Sequence, residues 1–202
     1  MPCSVFGMIQ NLKNTMKDNI YLFAAVPDEV GTLADITHFT GIGRENATRA
    51  MVQFMEQHRG EPMHILNIGT AGSHDKPVGT LLRIKEIISA GESFNEQRML
   101  TAPLPFECPD LEEAVLYSSD CFVSTDVFTS QYLDSIKGKA DCFDMESAAL
   151  FTVAQCYGVP YSSIKIVSDN LDVTIDVWRE RVVELSKKLV EMIKGLKLDV
   201  RI

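Results

Sequence analysis

The sequence predicts an α/β fold in which helices cover a mostly parallel sheet, and three observations carry that expectation. Short, continuous apolar runs recur along the chain, as strands buried on both faces require. They alternate with segments whose apolar residues repeat at helical spacing, the order expected when helices pack on a parallel sheet. The size, 202 residues with 46% hydrophobic and 23% charged, suits one core and argues against a disordered or collagen-like chain. The whole chain, 1–202, is read as one domain.

Strands are expected at 20–26, 34–39, 64–68, 81–88, 121–124 and 162–167. Between Glu45 and His58 the apolar residues Ala47, Met51, Phe54 and Met55 recur at helical spacing, and Gly60 follows as a stop. A second helix is expected over about 145–157. The last runs from 176 to about 197, where Trp178, Val182, Leu185, Leu189, Met192 and Leu196 form an apolar stripe; such a stripe is read as core packing. Residues 101–112 (TAPLPFECPDLE) read as a surface loop, because each Pro removes a ladder donor.

Charge and cysteine usage narrow the function. With 19 Lys+Arg against 28 Asp+Glu the formal net charge is −9, which disfavours approach to nucleic acid or to an anionic membrane. No stretch of about 18 apolar residues is present to span a bilayer, and residues 1–19 lack the pattern of a signal peptide. Five scattered cysteines without zinc-finger spacing read as reduced thiols of a cytoplasmic protein. The four histidines form no HExxH or HxH pattern, so neither a metal nor another cofactor is expected.

Three small-residue turns follow expected strands: Gly41-Ile42-Gly43, Gly69-Thr70-Ala71-Gly72 and Ser168-Asp169-Asn170. Ligands of open α/β sheets bind at the carboxyl ends of strands, so the three turns can line one pocket. None matches a phosphate-cradling glycine loop. Glu29 follows the first strand, Asp144-Met145-Glu146 opens a helix, and Asp169 ends an apolar strand. Converging carboxyls suit acid–base work, because burial raises the pKa of one while polar neighbours keep another ionised. Each also has a structural reading: Glu29 as a first-turn acid, Asp144 as an N-cap and Asp169 as a turn residue.

Together the segments AAVPDEV (24–30), GIGRENA (41–47), NIGTAGS (67–73), VSTDVFT (123–129) and DMESAALFTVAQCYGVPYSSIKIVSDN (144–170), with the closing helix, resemble the nucleoside phosphorylase and nucleosidase superfamily. Within it they are most similar to the 5′-methylthioadenosine/S-adenosylhomocysteine nucleosidases. The resemblance implies a three-layer fold with a mixed, mostly parallel sheet between helices, here shortened near the N-terminus. It implies that Glu29 activates the attacking water and that Asp169 protonates or hydrogen-bonds purine N7. It further implies that Glu146 accepts hydrogen bonds from the ribose hydroxyls, that Met145 packs on the sugar, that Phe128 stacks on the purine and that the Thr129 backbone reads the base edge. The turns carrying Thr70 and Ser168 complete the substrate-binding set. Phe128 also has the reading of an ordinary core aromatic. The implied partners are a small nucleoside and a second copy of the chain, in a homodimer.

Charge distinguishes the two nucleophiles, phosphate and water. Phosphate needs cationic anchors, most often Arg. Phosphorylases of the superfamily place an Arg three residues before the Ser of the second turn and another in an N-terminal loop. Here Asn67 and the sequence AVPDE (25–29) stand in those places, which favours water. The first cations to recruit otherwise are Arg44 and Lys165. Relatives carry more chain between the first acid and the GIG turn, where only 30–40 intervene here; residues 1–19 are free to supply a replacement helix. A phosphorylase and a catalytically weak nucleoside-binding protein remain the alternatives.

Overall fold

The structure is a computed structural model that describes residues 19–90, 96–108 and 111–201. The replacement helix considered for the N-terminal residues falls outside the described residues, apart from Asn19. In chain order the elements are β1 (Asn19–Ala24), β2 (Thr37–Phe39), α1 (Arg44–Gln57), β3 (Met63–Gly72), β4 (Leu81–Ser89), β5 (Gln97–Leu100), β6 (Glu112–Ser118), α2 (Ser130–Lys137), β7 (Cys142–Asp144), α3 (Ser147–Cys156), β8 (Tyr161–Asp169), α4 (Ile175–Gly195) and β9 (Val200–Arg201). Two 3-10 helices, Pro27–Glu29 and Gly31–Ile36, lie between β1 and β2.

The strands form one mixed, mostly parallel sheet. β1 pairs in parallel with β2, β3 and β9, β3 with β8, β4 with β6, and β6 with β7. Antiparallel pairing joins β4 to β5 and to β8. A single antiparallel bridge between Gly72 and Phe143 ties β7 back to β3, so the pairings from β3 through β8, β4, β6 and β7 return to their start. The carboxyl ends of β3, β7 and β8 are thereby gathered at one place.

Alternation along the strands sorts side chains between two helical layers. Tyr21, Phe23 and Ile65 pack with Met51, Phe54 and Met55 of α1 and Leu150 of α3. Ile20, Leu22, Leu66, Ile68, Ile164 and Ile166 pack with Leu189, Val190 and Ile193 of α4. Burial of each such side chain contributes about 1.5–3 kcal/mol. The buried face of α4 comprises Trp178, Val182, Ser186, Leu189, Val190 and Ile193. It is rotated slightly from the expected stripe, so that Leu185, Met192 and Leu196 end up half-buried at its margin.

Several expectations need correction. Residues 121–124 form no strand; they belong to an irregular segment after β6. Residues 34–36 lie in a 3-10 helix, and only Thr37–Phe39 extend as an edge strand. The stretch from Gly69 to Gly72 is not a turn after β3 but its last residues, because parallel pairing to β8 continues through it. Strands β5, β6, β7 and β9 and helix α2 were not expected. The shortened connection of residues 30–40 is filled by the second 3-10 helix and β2, which keep β1 paired on that side.

Candidate active site

Beyond the carboxyl ends of the strands lies a cavity whose lining includes Glu29, Ile42, Thr70, Met145, Glu146, Ser168 and Asp169, with Phe122, Phe143, Ile175 and Trp178 as its apolar walls. All three small-residue segments noted in the sequence contribute to it, as expected for a sheet of this class.

Glu29 reaches the cavity because Pro27 and Asp28 begin a 3-10 helix directly after β1. The residue is 4% exposed, and its carboxylate accepts from four donors. Oε1 takes the Thr70 backbone N–H at 2.8 Å and the Thr70 hydroxyl at 2.7 Å. Oε2 takes the N–H groups of Ala25 at 3.1 Å and Val26 at 3.4 Å. Gly69 permits this approach, since a Cβ there would stand 2.9 Å from Oε1.

Asp169 ends β8, where the register to β3 jumps from Val167 opposite Ala71 to Asp169 opposite Gly72. The extra residue, Ser168, makes a β-bulge of the kind that re-aims side chains next to functional sites. Asp169 is 1% exposed and accepts from Ser168 Oγ at 2.7 Å and Leu171 N at 2.9 Å. Burial raises its pKa, against the lowering effect of those two hydrogen bonds.

Glu146 is the N-cap residue of α3 and is 8% exposed. Its Oε1 accepts from the backbone N–H of Gly43 at 2.7 Å. Gly43 sits at φ 92°, a conformation that favours glycine, and caps α1, so the GIG turn delivers an N–H from a helix N-terminus to this carboxyl. Desolvation, followed by the charge of Asp144 and more weakly of Glu29, pushes the Glu146 pKa up to about 8, while Lys165 and the Gly43 N–H pull against the rise.

Behind Glu146 lies an ion pair that the sequence did not reveal: Lys165 Nζ stands 3.1 Å from Asp144 Oδ2, with the side chains 3% and 2% exposed. Burial works against the Lys165 charge, but Asp144 and the neighbouring acids outweigh it and hold its pKa above the ordinary lysine value. Asp144 also accepts from the backbone N–H and hydroxyl of Ser147 at the start of α3. Asn67, in the place of a phosphorylase Arg, donates to Phe23 O and accepts from Ser147, Tyr161 and Ser163. The other cation singled out, Arg44, pairs with Asp120 and donates to the carbonyls of Ala90 and Ser118. It does not line the cavity.

The expected site residues are therefore not all together. Glu29, Thr70, Met145, Glu146, Ser168 and Asp169 line one cavity, whereas Phe128 and Thr129 do not. Phe128 stacks on Tyr132 with centroids 4.7 Å apart, and Thr129 caps α2 by accepting from Tyr132 N. Phe122 and Val123, earlier in the same segment, line the cavity instead. Trp178, which the sequence places in the apolar stripe of the last helix, also lines the cavity, and its indole N–H donates to Thr70 Oγ1 at 3.1 Å. Its position in the first turn of a helix just after the Asp169 segment was the available clue. Among the described residues no group of three His, Cys, Asp or Glu side chains is placed to hold a metal ion.

Comparison with known proteins agrees with this architecture. A 5′-methylthioadenosine/S-adenosylhomocysteine nucleosidase of Shewanella halifaxensis is 23% identical over 195 residues, covering 84% of this chain and 83% of the relative. The crystal structure of the nucleosidase of that name from Helicobacter pylori, with butyl-thio-DADMe-Immucillin-A, superposes with a TM-score of 0.71 at 16% identity, covering 89% of this chain and 97% of the other. The native futalosine hydrolase of Helicobacter pylori reaches a TM-score of 0.66 at 17% identity, covering 89% and 98%. The family described as Phosphorylase superfamily matches residues 36–196, and the chain belongs to that superfamily.

Proposed function

We propose that the protein is a purine nucleosidase that hydrolyses the N-glycosidic bond of an adenosine-type nucleoside resembling 5′-methylthioadenosine or S-adenosylhomocysteine. The observation that carries the reading is the convergence of Glu29, Glu146 and Asp169 on one cavity whose nearest buried cation, Lys165, is already paired with Asp144. A phosphate ion entering this site meets several carboxyls and no uncommitted cation among the described lining residues, whereas water meets no such repulsion. The relatives carrying nucleosidase names support the same choice.

In the proposed reaction Glu29 accepts a proton from water as the water oxygen bonds to C1′ of the ribose. The C1′–N9 bond breaks with its electron pair leaving on the purine, and Asp169 supplies a proton to N7. The raised pKa of Asp169 suits a proton donor. The ribosyl group turns cationic on the way, and the nearby carboxylates stabilise it electrostatically. Glu146 accepts hydrogen bonds from the ribose hydroxyls, Met145 packs on the sugar, and Thr70 and Ser168 hold the two reacting acids. Phe128 and Thr129 belong to the same connecting segment as Phe122, and the base is assigned to that segment as a whole. The protein acts as a two-fold homodimer, without a cofactor, and light scattering at micromolar concentration reads the mass.

The test is base release from a panel of purine nucleosides in phosphate-free buffer. Free base and a free ribose moiety are expected. Ribose 1-phosphate, with activity only when phosphate is added, overturns the hydrolase reading in favour of the phosphorylase; ligand binding without turnover indicates the weak binding protein. Because solved futalosine hydrolases share the fold at similar TM-scores, the panel includes nucleosides with larger 5′ groups.

A further inference from the structure

We infer that Trp178 is a positioning residue that, through Thr70, fixes which oxygen of Glu29 takes the proton from water; this rests on the reading of Glu29 as the base. The Thr70 hydroxyl carries one hydrogen. The Trp178 indole is a donor only, so its contact with Thr70 Oγ1 at 3.1 Å makes that oxygen the acceptor. The hydroxyl hydrogen is then directed to Glu29 Oε1, 2.7 Å away. With the Thr70 N–H at 2.8 Å as well, Oε1 is saturated by two short bonds. Oε2 is held by longer ones, 3.1 and 3.4 Å, so a water displaces the Val26 N–H at least cost and finds its lone pair there.

The arrangement lies on one face of the sheet. Thr70 follows Leu66 and Ile68 on the face of β3 that packs against α4, and Trp178 stands in the first turns of α4, packed with Val182 and Val173 and against Val26 and Phe122. Trp178 is 7% exposed, and burial strengthens a chain of hydrogen bonds whose members polarise one another. Helix α4 thus reaches the base through one hydroxyl.

The chain contains a single tryptophan, so protein labelled with 15N-tryptophan shows one indole N–H resonance. That resonance is expected to move in both T70V and E29Q; if E29Q leaves it in place, the indole does not sense the carboxylate and the inference falls. In kinetics, W178F is expected to lower kcat about 3–10-fold, the scale of one hydrogen bond, with KM changed less than about twofold. W178F should add nothing in a T70V background, and T70S should restore its effect. If W178F keeps wild-type kcat, or if its effect is undiminished in T70V, Trp178 is only a packing residue. Should the wild type release no base from any nucleoside, the proposed function fails, and the indole resonance alone still decides the coupling.

Discussion

Glu29 and Glu146 are almost equally buried, at 4% and 8% exposure, and yet the molecule treats them differently. Glu29 is held from the α4 face of the sheet by four hydrogen-bond donors. Glu146 is held from the opposite side, by one N–H at the start of α1, beside an acid, Asp144, that has taken the only buried ammonium described near it. The difference teaches that burial alone does not assign a carboxyl its role. A carboxylate surrounded by donors is oriented by its surroundings, whereas one that shares its neighbourhood with another acid is left to hold a proton until a ligand replaces it.

Removing the oriented carboxylate gives the largest expected effect. Glu29→Gln should lower kcat by at least about 10³-fold, and Asp169→Asn by about 10²–10⁴-fold, the range for losing a general base or acid, with binding of the product base largely retained by calorimetry. If folded E29Q turns over at a near-wild-type rate, the contrast between the two glutamates has no catalytic meaning.

The next effect falls on stability. Lys165→Met leaves Asp144 buried without its partner, and breaking such a pair costs about 3–5 kcal/mol. Urea denaturation should show this loss, and the double change Lys165→Met with Asp144→Asn should recover part of it. A single variant as stable as the wild type would mean that the pair does not govern the Glu146 side.

Acidity sharpens the comparison further. Burial and the charge of Asp144 push the Glu146 pKa up to about 8 from an ordinary 4.5, which favours the protonated form in the empty site as the pH falls. Ionised Glu146 is the stronger acceptor for ribose hydroxyls, so kcat/KM should rise roughly 15-fold between pH 6.5 and 8 and level only above about pH 9, and Glu146→Gln should abolish this limb. The folded state binds this proton more tightly than the unfolded chain does. Its stabilising contribution is therefore full below pH 4.5 and is lost as pH rises through about 8. Thermal melts of E146Q should show a weaker decline over that window than the wild type.

The smallest effect concerns the aromatic wall. Phe122 lines the cavity and Phe128 stacks on Tyr132, so Phe122→Ala should raise KM several-fold, by the roughly 0.5–1.5 kcal/mol of one aromatic contact, and Phe128→Ala should raise it less. The reverse order would return the base to Phe128.

The periodicities of the sequence determined much of this protein. The apolar runs of β1, β3, β4 and β8 and the helical spacing of α1 and α4 were legible because strands buried on both faces and amphipathic helices leave local patterns. So were the acids Glu29, Glu146 and Asp169, because they sit in short motifs at strand ends. Only the tertiary structure decided the short strands β5, β7 and β9, whose extended conformation comes from neighbours distant in sequence. It also decided that Lys165 would pair with Asp144, that Gly43 would face Glu146 across 103 positions, and that Trp178 would reach Thr70 across 108. These are contacts between side chains or peptide groups carried on different elements. No local propensity encodes them, because they exist only once the sheet and the helices on its two faces have packed together.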